Sequence, residues 1–264
     1  MRGKACVLVF IASLELSSSW PNAFGPVHLP GYPKAGWVRD SGKVTVTNGN
    51  LEIQGDARAY LVQDHTVYTG WGDHRYVRID LHRSPLQFTL DVSNVPCGCL
   101  ACVYLVTMKD PVGWKSNYCD MAENVQPGMD DGMCYELDLL EADNRAMQTA
   151  IHTELGGKYG SGNCDRNGCF ARVGGPQSPA DLQRVYGKGA SHRINTERPF
   201  DVITNVDEGG GMTIKLSQDG NRTWCAKVSA CGNQISTGQA CARSFPLERR
   251  HKLARWTWLW RVSP

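Results

Sequence analysis

The chain has 264 residues, 41% of them hydrophobic and 20% charged, with a formal net charge of +2. That length can bury the core of one large domain or two small ones. A near-neutral balance gives no ground for a nucleic-acid partner, and no apolar stretch is long enough to cross a bilayer.

At the N-terminus, Met1-Arg2-Gly3-Lys4, an apolar run over 5–16 and Ser17-Ser18-Ser19 read as a secretory signal, with a buried strand as the bland alternative. Residues 1–19 are therefore expected to be a signal peptide and 20–264 a single domain exported from the cell. The eleven cysteines agree with that compartment, because ten remain once Cys6 has left and can form five disulfides. Zinc-like spacing around Cys97, Cys99 and Cys102 lacks a second cluster or a His pair, so no metal is expected. Asn221-Arg222-Thr223 is an N-glycosylation sequon, a triplet common by chance.

Short alternating runs predict strands over 43–47, 51–54, 59–62, 87–92, 103–108, 135–140, 147–153, 200–206 and 212–216. Turns are predicted at Asn48-Gly49-Asn50, across the Gly-rich 207–211 and at Asp219-Gly220. No stretch keeps a helical period over three turns. The expectation is an all-β antiparallel sandwich whose concave face forms a groove.

One predicted strand carries an unusual load, Glu136-Leu137-Asp138-Leu139-Leu140-Glu141. Burying unpaired carboxylates costs several kcal/mol or forces protonation, so acids in an apolar run usually line a cleft. Strand alternation puts Glu136 and Asp138 on one face and Glu141 on the other. One bulged residue among Leu139, Leu140 and Glu141 returns Glu141 to the shared face. The outer two acids then lie about four strand steps apart, roughly 13 Å between Cα atoms. Side chains leaning together can close the carboxylate gap to roughly 5–5.5 Å, the distance of a retaining glycosidase. Surface decoration and calcium ligation with Asp130, Asp131 or Asp143 are the bland readings; flanking leucines and irregular spacing count against them.

With Cys134-Tyr135 before it and Ala142 after it, this strand resembles the catalytic strand of glycoside hydrolase family seven, the fungal-type cellulases. The resemblance implies Glu136 as nucleophile, Asp138 as its partner and Glu141 as acid/base. His152, eleven residues on, matches a substrate-binding histidine; a lone strand histidine is otherwise structural. The run 88–98, ending in Pro96-Cys97-Gly98, is similar to a second family strand, continued by Tyr104 at a cleft-tyrosine position. Tyr118-Cys119-Asp120 and the loop 164–169 also match, with Asp120 near the acids and a Cys119–Cys134 disulfide behind them. Together these motifs span roughly 80–220.

The resemblance implies a concanavalin A-like β-jelly-roll with cellulose or another β-1,4-glucan in its cleft and hydrolysis with retention. It implies no cofactor, and the polysaccharide is the only partner expected of a monomer. Family loops that roof the cleft are missing here, which favours an open groove and internal cuts. Leu140 replaces a family tryptophan and Leu100 a polar residue near the nucleophile, both able to weaken activity. Glu154 stands where a partner for Cys164 belongs, so Cys164 pairs elsewhere or stays free. Beyond about Thr223 the match is poor. Trp256, Trp258 and Trp260 form either a sugar-stacking row or an edge or core strand. The competing functions are a β-1,3 or mixed-linkage glucanase and an inactive, lectin-like sugar binder.

Overall fold

Period-two alternation cut by glycine and aspartate turns yields strands and no helix among the described residues. The computed structural model describes residues 36–39, 43–47, 50–55, 57–63, 75–82, 85–113, 115–120, 135–152, 164, 168–207, 210–220, 222–228, 236–237 and 256–263. Residues 1–19, expected to be a signal peptide, and Cys134 and Asn221 lie outside them.

The strands are β1 (Gly36–Arg39), β2 (Lys43–Thr47), β3 (Asn50–Gln54), β4 (Ala57–Val62), β5 (Arg78–Ile79) and β6 (Leu86–Leu90). β7 (Leu100–Val106), β8 (Glu136–Ala142), β9 (Ala146–His152) and β10 (Cys169–Gly174) follow. After β11 (Tyr186–Gly187) and β12 (Ile194–Asn195) come β13 (Phe200–Val206), β14 (Met212–Gln218), β15 (Arg222–Val228), β16 (Ser236–Thr237) and β17 (Trp256–Ser263).

One antiparallel sheet runs β1-β4-β17-β7-β8-β9-β10, with β5 also paired to β17; the other runs β16-β15-β14-β13-β6. Leu105, Leu137, Ile151 and Val173 of the first share one buried core with Phe88, Val202, Ile214 and Trp224 of the second. That is a sandwich. The second sheet alternates buried and half-exposed residues along β14, as a strand with one wet face should. β8 instead is buried on both faces, because its other side carries a second cluster and the acids.

The local irregularity in β8 positions everything else. Against β9, Asp138 pairs with Ala150 and Glu141 with Gln148, so three steps of β8 meet two of β9. Against β7, Leu140 pairs with Val103 and Asp138 with Tyr104, leaving Leu139 without an opposite residue. This is a β-bulge. Leu139 and Leu140 consequently both enter the sandwich core, fully buried beside Leu137 and Ala142. The buried Thr149 hydroxyl donates to the Asp138 carbonyl at 2.7 Å, giving that acceptor a partner where the ladder breaks.

The C-terminal segment is not the misfit its sequence suggests. β17 lies in the middle of the first sheet, between β4 and β7, and supplies a strand that the chain otherwise lacks there. Its register sets positions 258 and 260 opposite Leu105 and Val103, while the side chains of the tryptophan row lie outside what the structure describes.

Thr149→Val keeps the shape and removes the donor that holds the bulge. It should lower stability by about 1–3 kcal/mol, the cost of an unsatisfied buried carbonyl. Urea unfolding checks this, and β-content should not change.

Candidate active site

Three strands bring the predicted acids to one face. On β8, Glu136 and Asp138 project away from the core because Leu137 projects into it. Glu136 stands opposite His152 and Glu141 opposite Gln148, so five steps along β8 span four along β9. Across β7 the opposite positions are Val106, Tyr104 and Cys102. The bulge therefore gives Glu136, Asp138 and Glu141 a common face with Tyr104, Gln148 and His152.

Each acid has a different environment. Asp138 is 4% exposed and bonded to His152, Nε2 to Oδ2 at 2.9 Å. Glu136 is buried next to Tyr104, whose phenol is held far above its usual range by burial, with the Glu136 charge adding to that. Glu141 is half-buried, and its carboxyl is pushed up to about 7 by burial and by the Asp138 charge. A hydrogen bond from Gln148 and the charges of His152 and Arg172 oppose that rise. Two close carboxylates with unequal surroundings separate into one charged and one protonated group near neutral pH.

The second-rank residues form two groups. His152 stays with the acids, roofed by Gly168 at φ +70°, where an added Cβ would lie 2.6 Å from Cε1 of the imidazole. Tyr104 and Asp120 join through Tyr118, which is 3.1 Å from the Tyr104 hydroxyl and donates to Oδ2 of Asp120. The Arg58 guanidinium lies over the Tyr118 ring at 3.6 Å from its centroid. The sequence gives Tyr118 only as part of the Tyr118-Cys119-Asp120 motif and does not mark Arg58, Gln148 or Arg172 as site residues. Strand alternation back from His152 leads to Gln148, and an arginine between Ala57 and Ala59 in an apolar strand marks Arg58. Those were the available signals.

Two expectations change, that of five disulfides and that of Leu140 beside the cleft, while the other cysteine readings are not overturned. Cys97 and Cys102 remain thiols, so five disulfides do not form. Cys164 bonds Cys169, closing the loop that carries Gly168. Cys99 and Cys119 are disulfide-bonded, while Cys134 lies outside the described residues. Leu140 faces the core and does not touch the cleft, unlike Leu100, which lines a cavity of about 440 Å³ with Glu141, Gln148 and Arg172. Among the described residues no three side chains could jointly hold a metal, and no helix is long and apolar enough to cross a membrane.

Known proteins supply the frame for this geometry. Endoglucanase 1 of Humicola insolens is 33% identical over 154 residues, covering 47% of this chain and 37% of that protein. The native structure of the Humicola insolens endocellulase EGI superposes with a TM-score of 0.54 at 21% identity, covering 83% of this chain and 66% of that one. The GH7 family cellobiohydrolase from Daphnia pulex gives 0.54 at 15% identity over the same shares. The chain is similar over part of its length to fungal endoglucanases, and in fold to cellulase structures. Its fold is the antiparallel β-jelly-roll of those cellulase structures. No family model matches the chain, and it spans about half or less of the length of the curated relatives it matches.

Two outcomes test this geometry. Gly168→Ala should drive the imidazole of His152 off Asp138, visible as a shifted histidine ring signal in nitrogen-15 NMR. The second concerns pH. With its pKa raised from 4.5 to about 7, Glu141 keeps its proton in the fold where the unfolded chain has lost it. Its contribution is complete at low pH and falls as pH rises through that window. Glu141→Gln should then match the parent near about pH 4 and exceed it by on the order of 2 kcal/mol near about pH 8, in paired urea titrations.

Proposed function

We propose that the chain is an exported, retaining endo-β-1,4-glucanase acting on cellulose or a related glucan. The bulge in β8 carries this reading, because it gives Glu136, Asp138 and Glu141 one common face. The sequence likeness to endoglucanases supports the substrate class. β17 in the middle of the first sheet supports reading 20–264 as one catalytic domain. Removal of 1–19, a Cys119–Cys134 bond and a glycan on Asn221 belong to the same proposal, as does action as a monomer.

In the first step the Glu136 carboxylate attacks the anomeric carbon while Glu141 gives its proton to the glycosidic oxygen. The carbon–oxygen bond breaks, the shortened chain leaves, and a glycosyl ester to Glu136 remains. In the second step Glu141, now charged, takes a proton from water. The hydroxide attacks the same carbon from the face the leaving group vacated, Glu136 departs, and the configuration is retained. Asp138, tied to His152, orients the nucleophile through its own fixed position. A carboxyl near 7 suits Glu141, since a group that both gives and takes a proton works best close to the working pH. Tyr104, His152 and Asp120 line and orient the substrate.

An inactive sugar binder is the second reading, favoured by Leu100 beside Glu141 in a place the resemblance makes polar. Proton NMR of the first sugar released from a short cello-oligosaccharide separates the two. The β-anomer is expected first; no product supports the binder, and the α-anomer would refute double displacement. Carboxymethyl-cellulose should be cut and laminarin spared. Glu136→Gln should reduce turnover at least about 10³-fold without unfolding the protein.

A further inference from the structure

The side chain that touches Glu141 most directly is neither acid nor histidine. Gln148 follows from His152 by strand alternation and stands opposite Glu141 across the β8–β9 pair. Its Nε2 donates to Oε2 of Glu141 at 2.9 Å. The far end of the same amide is occupied as well. Oε1 of Gln148 accepts from Arg172, from Nε at 3.1 Å and again from a terminal guanidinium nitrogen. Arg172 pairs with Gln148 in the β9–β10 register, gives another N–H to Gln177 at 3.2 Å and lies 5.0 Å from the Phe170 ring centre.

An amide held in this way cannot turn over. Reversal would set its NH₂ against a guanidinium that has only donors, and its oxygen against a carboxylate. The planar fork of Arg172, satisfied on two edges, fixes which end of Gln148 faces the acid. We propose that Gln148, clamped by Arg172, is a positioning residue for Glu141: it offers only a donor, occupies Oε2 and leaves Oε1 to carry the transferable proton. This rests on Glu141 being the acid/base of a glycosidase. The contact also favours the charged carboxylate, opposing burial and Asp138.

Other charged or titratable groups also face Glu141. They are Asp138 on its own strand, His152 from β9, Arg172 from β10 and Cys102, its opposite residue on β7; Asp143 lines the same cavity. Removing the Gln148 donor leaves the other groups in place; Arg172 loses its Gln148 acceptor and keeps Gln177. The acid should then hold its proton to higher pH.

The test is Gln148→Met, which keeps length and loses the donor. Carbon-13 carboxyl NMR should show Glu141 titrating about one pH unit higher, the size expected for losing one hydrogen bond to a charged group. The alkaline limb of kcat/KM should move up by the same amount, because it reports the acid that must be protonated. Arg172→Lys keeps the charge but loses the fork, freeing the amide to rotate. It should shift Glu141 the same way by less, and the double variant should go no further than Gln148→Met. A Glu141 titration unmoved in both single variants overturns the proposal. If Gln148→Met does not fold, the Arg172→Lys titration alone decides it. A shifted titration in a protein that cleaves no glucan would leave the contact standing and remove the hydrolase reading.

Discussion

Two consecutive leucines in one core are the constraint from which the site follows. A regular strand sends neighbours to opposite faces, yet Leu139 and Leu140 are both fully buried in the sandwich interior. An unbulged β8 would drive the Glu141 carboxylate into the core beside Ala101 and Met147, where an unpaired charge costs several kcal/mol. The bulge reconciles the apolar and acidic demands of the strand with one extra residue. The turn that follows is firmly held, which keeps the re-aimed acid still. Asp143 accepts from the backbone N–H of Ala146 at 2.8 Å, Tyr186 donates to the Asp143 carbonyl at 2.8 Å, and Thr196 to that of Asn144 at 2.7 Å.

Once three acids share a face, their environments divide the labour. Asp138 is tied to His152, so its position is fixed and part of its charge answered. For Glu141, burial and the Asp138 charge outweigh the clamped amide and the charges of His152 and Arg172, so it keeps its proton near neutrality. Glu136 faces the phenol side of the cleft, where Tyr104, Tyr118 and Asp120 form a hydrogen-bonded row. Unequal surroundings thus turn three similar groups into parts with separate chemistry.

Much of this was legible in the sequence for identifiable reasons. β2, β3, β13 and β14 alternate cleanly between turn residues, so period alone places them. The bulge was legible because a strict strand would have put Glu141 on the wrong face. β10 was not: Phe170 and Arg172 lie on its outer face just after a cysteine loop, and the run reads as loop continuation. β15 mixes Arg222, Thr223 and Lys227 among apolar residues and hides its alternation. Gln148 and Arg172 escaped because neither residue type suggests proton chemistry alone. Only their pairing across β9 and β10 gives them a role, and pairing between strands is not written in either strand.

β17 is the sharpest case of that non-locality, and it bears on function. Its partners β4 and β7 lie far back in the chain, and Leu259 stands opposite Tyr60 on one side and Tyr104 on the other. Tyr60 packs edge-on against Tyr118 with ring centres 6.3 Å apart, and Arg58 of the same strand stacks on Tyr118. The phenol half of the cleft is therefore assembled from two blocks whose strands β4 and β7 meet in the sheet through β17. Pairings of such long range form late, after the entropy of closing a large loop has been overcome. The acids and His152 belong to the local β7-β8-β9 meander, which needs no such closure. One half of the candidate site thus rests on pairings along neighbouring strands and the other, with Arg58 and Tyr60, on a pairing of long range in sequence.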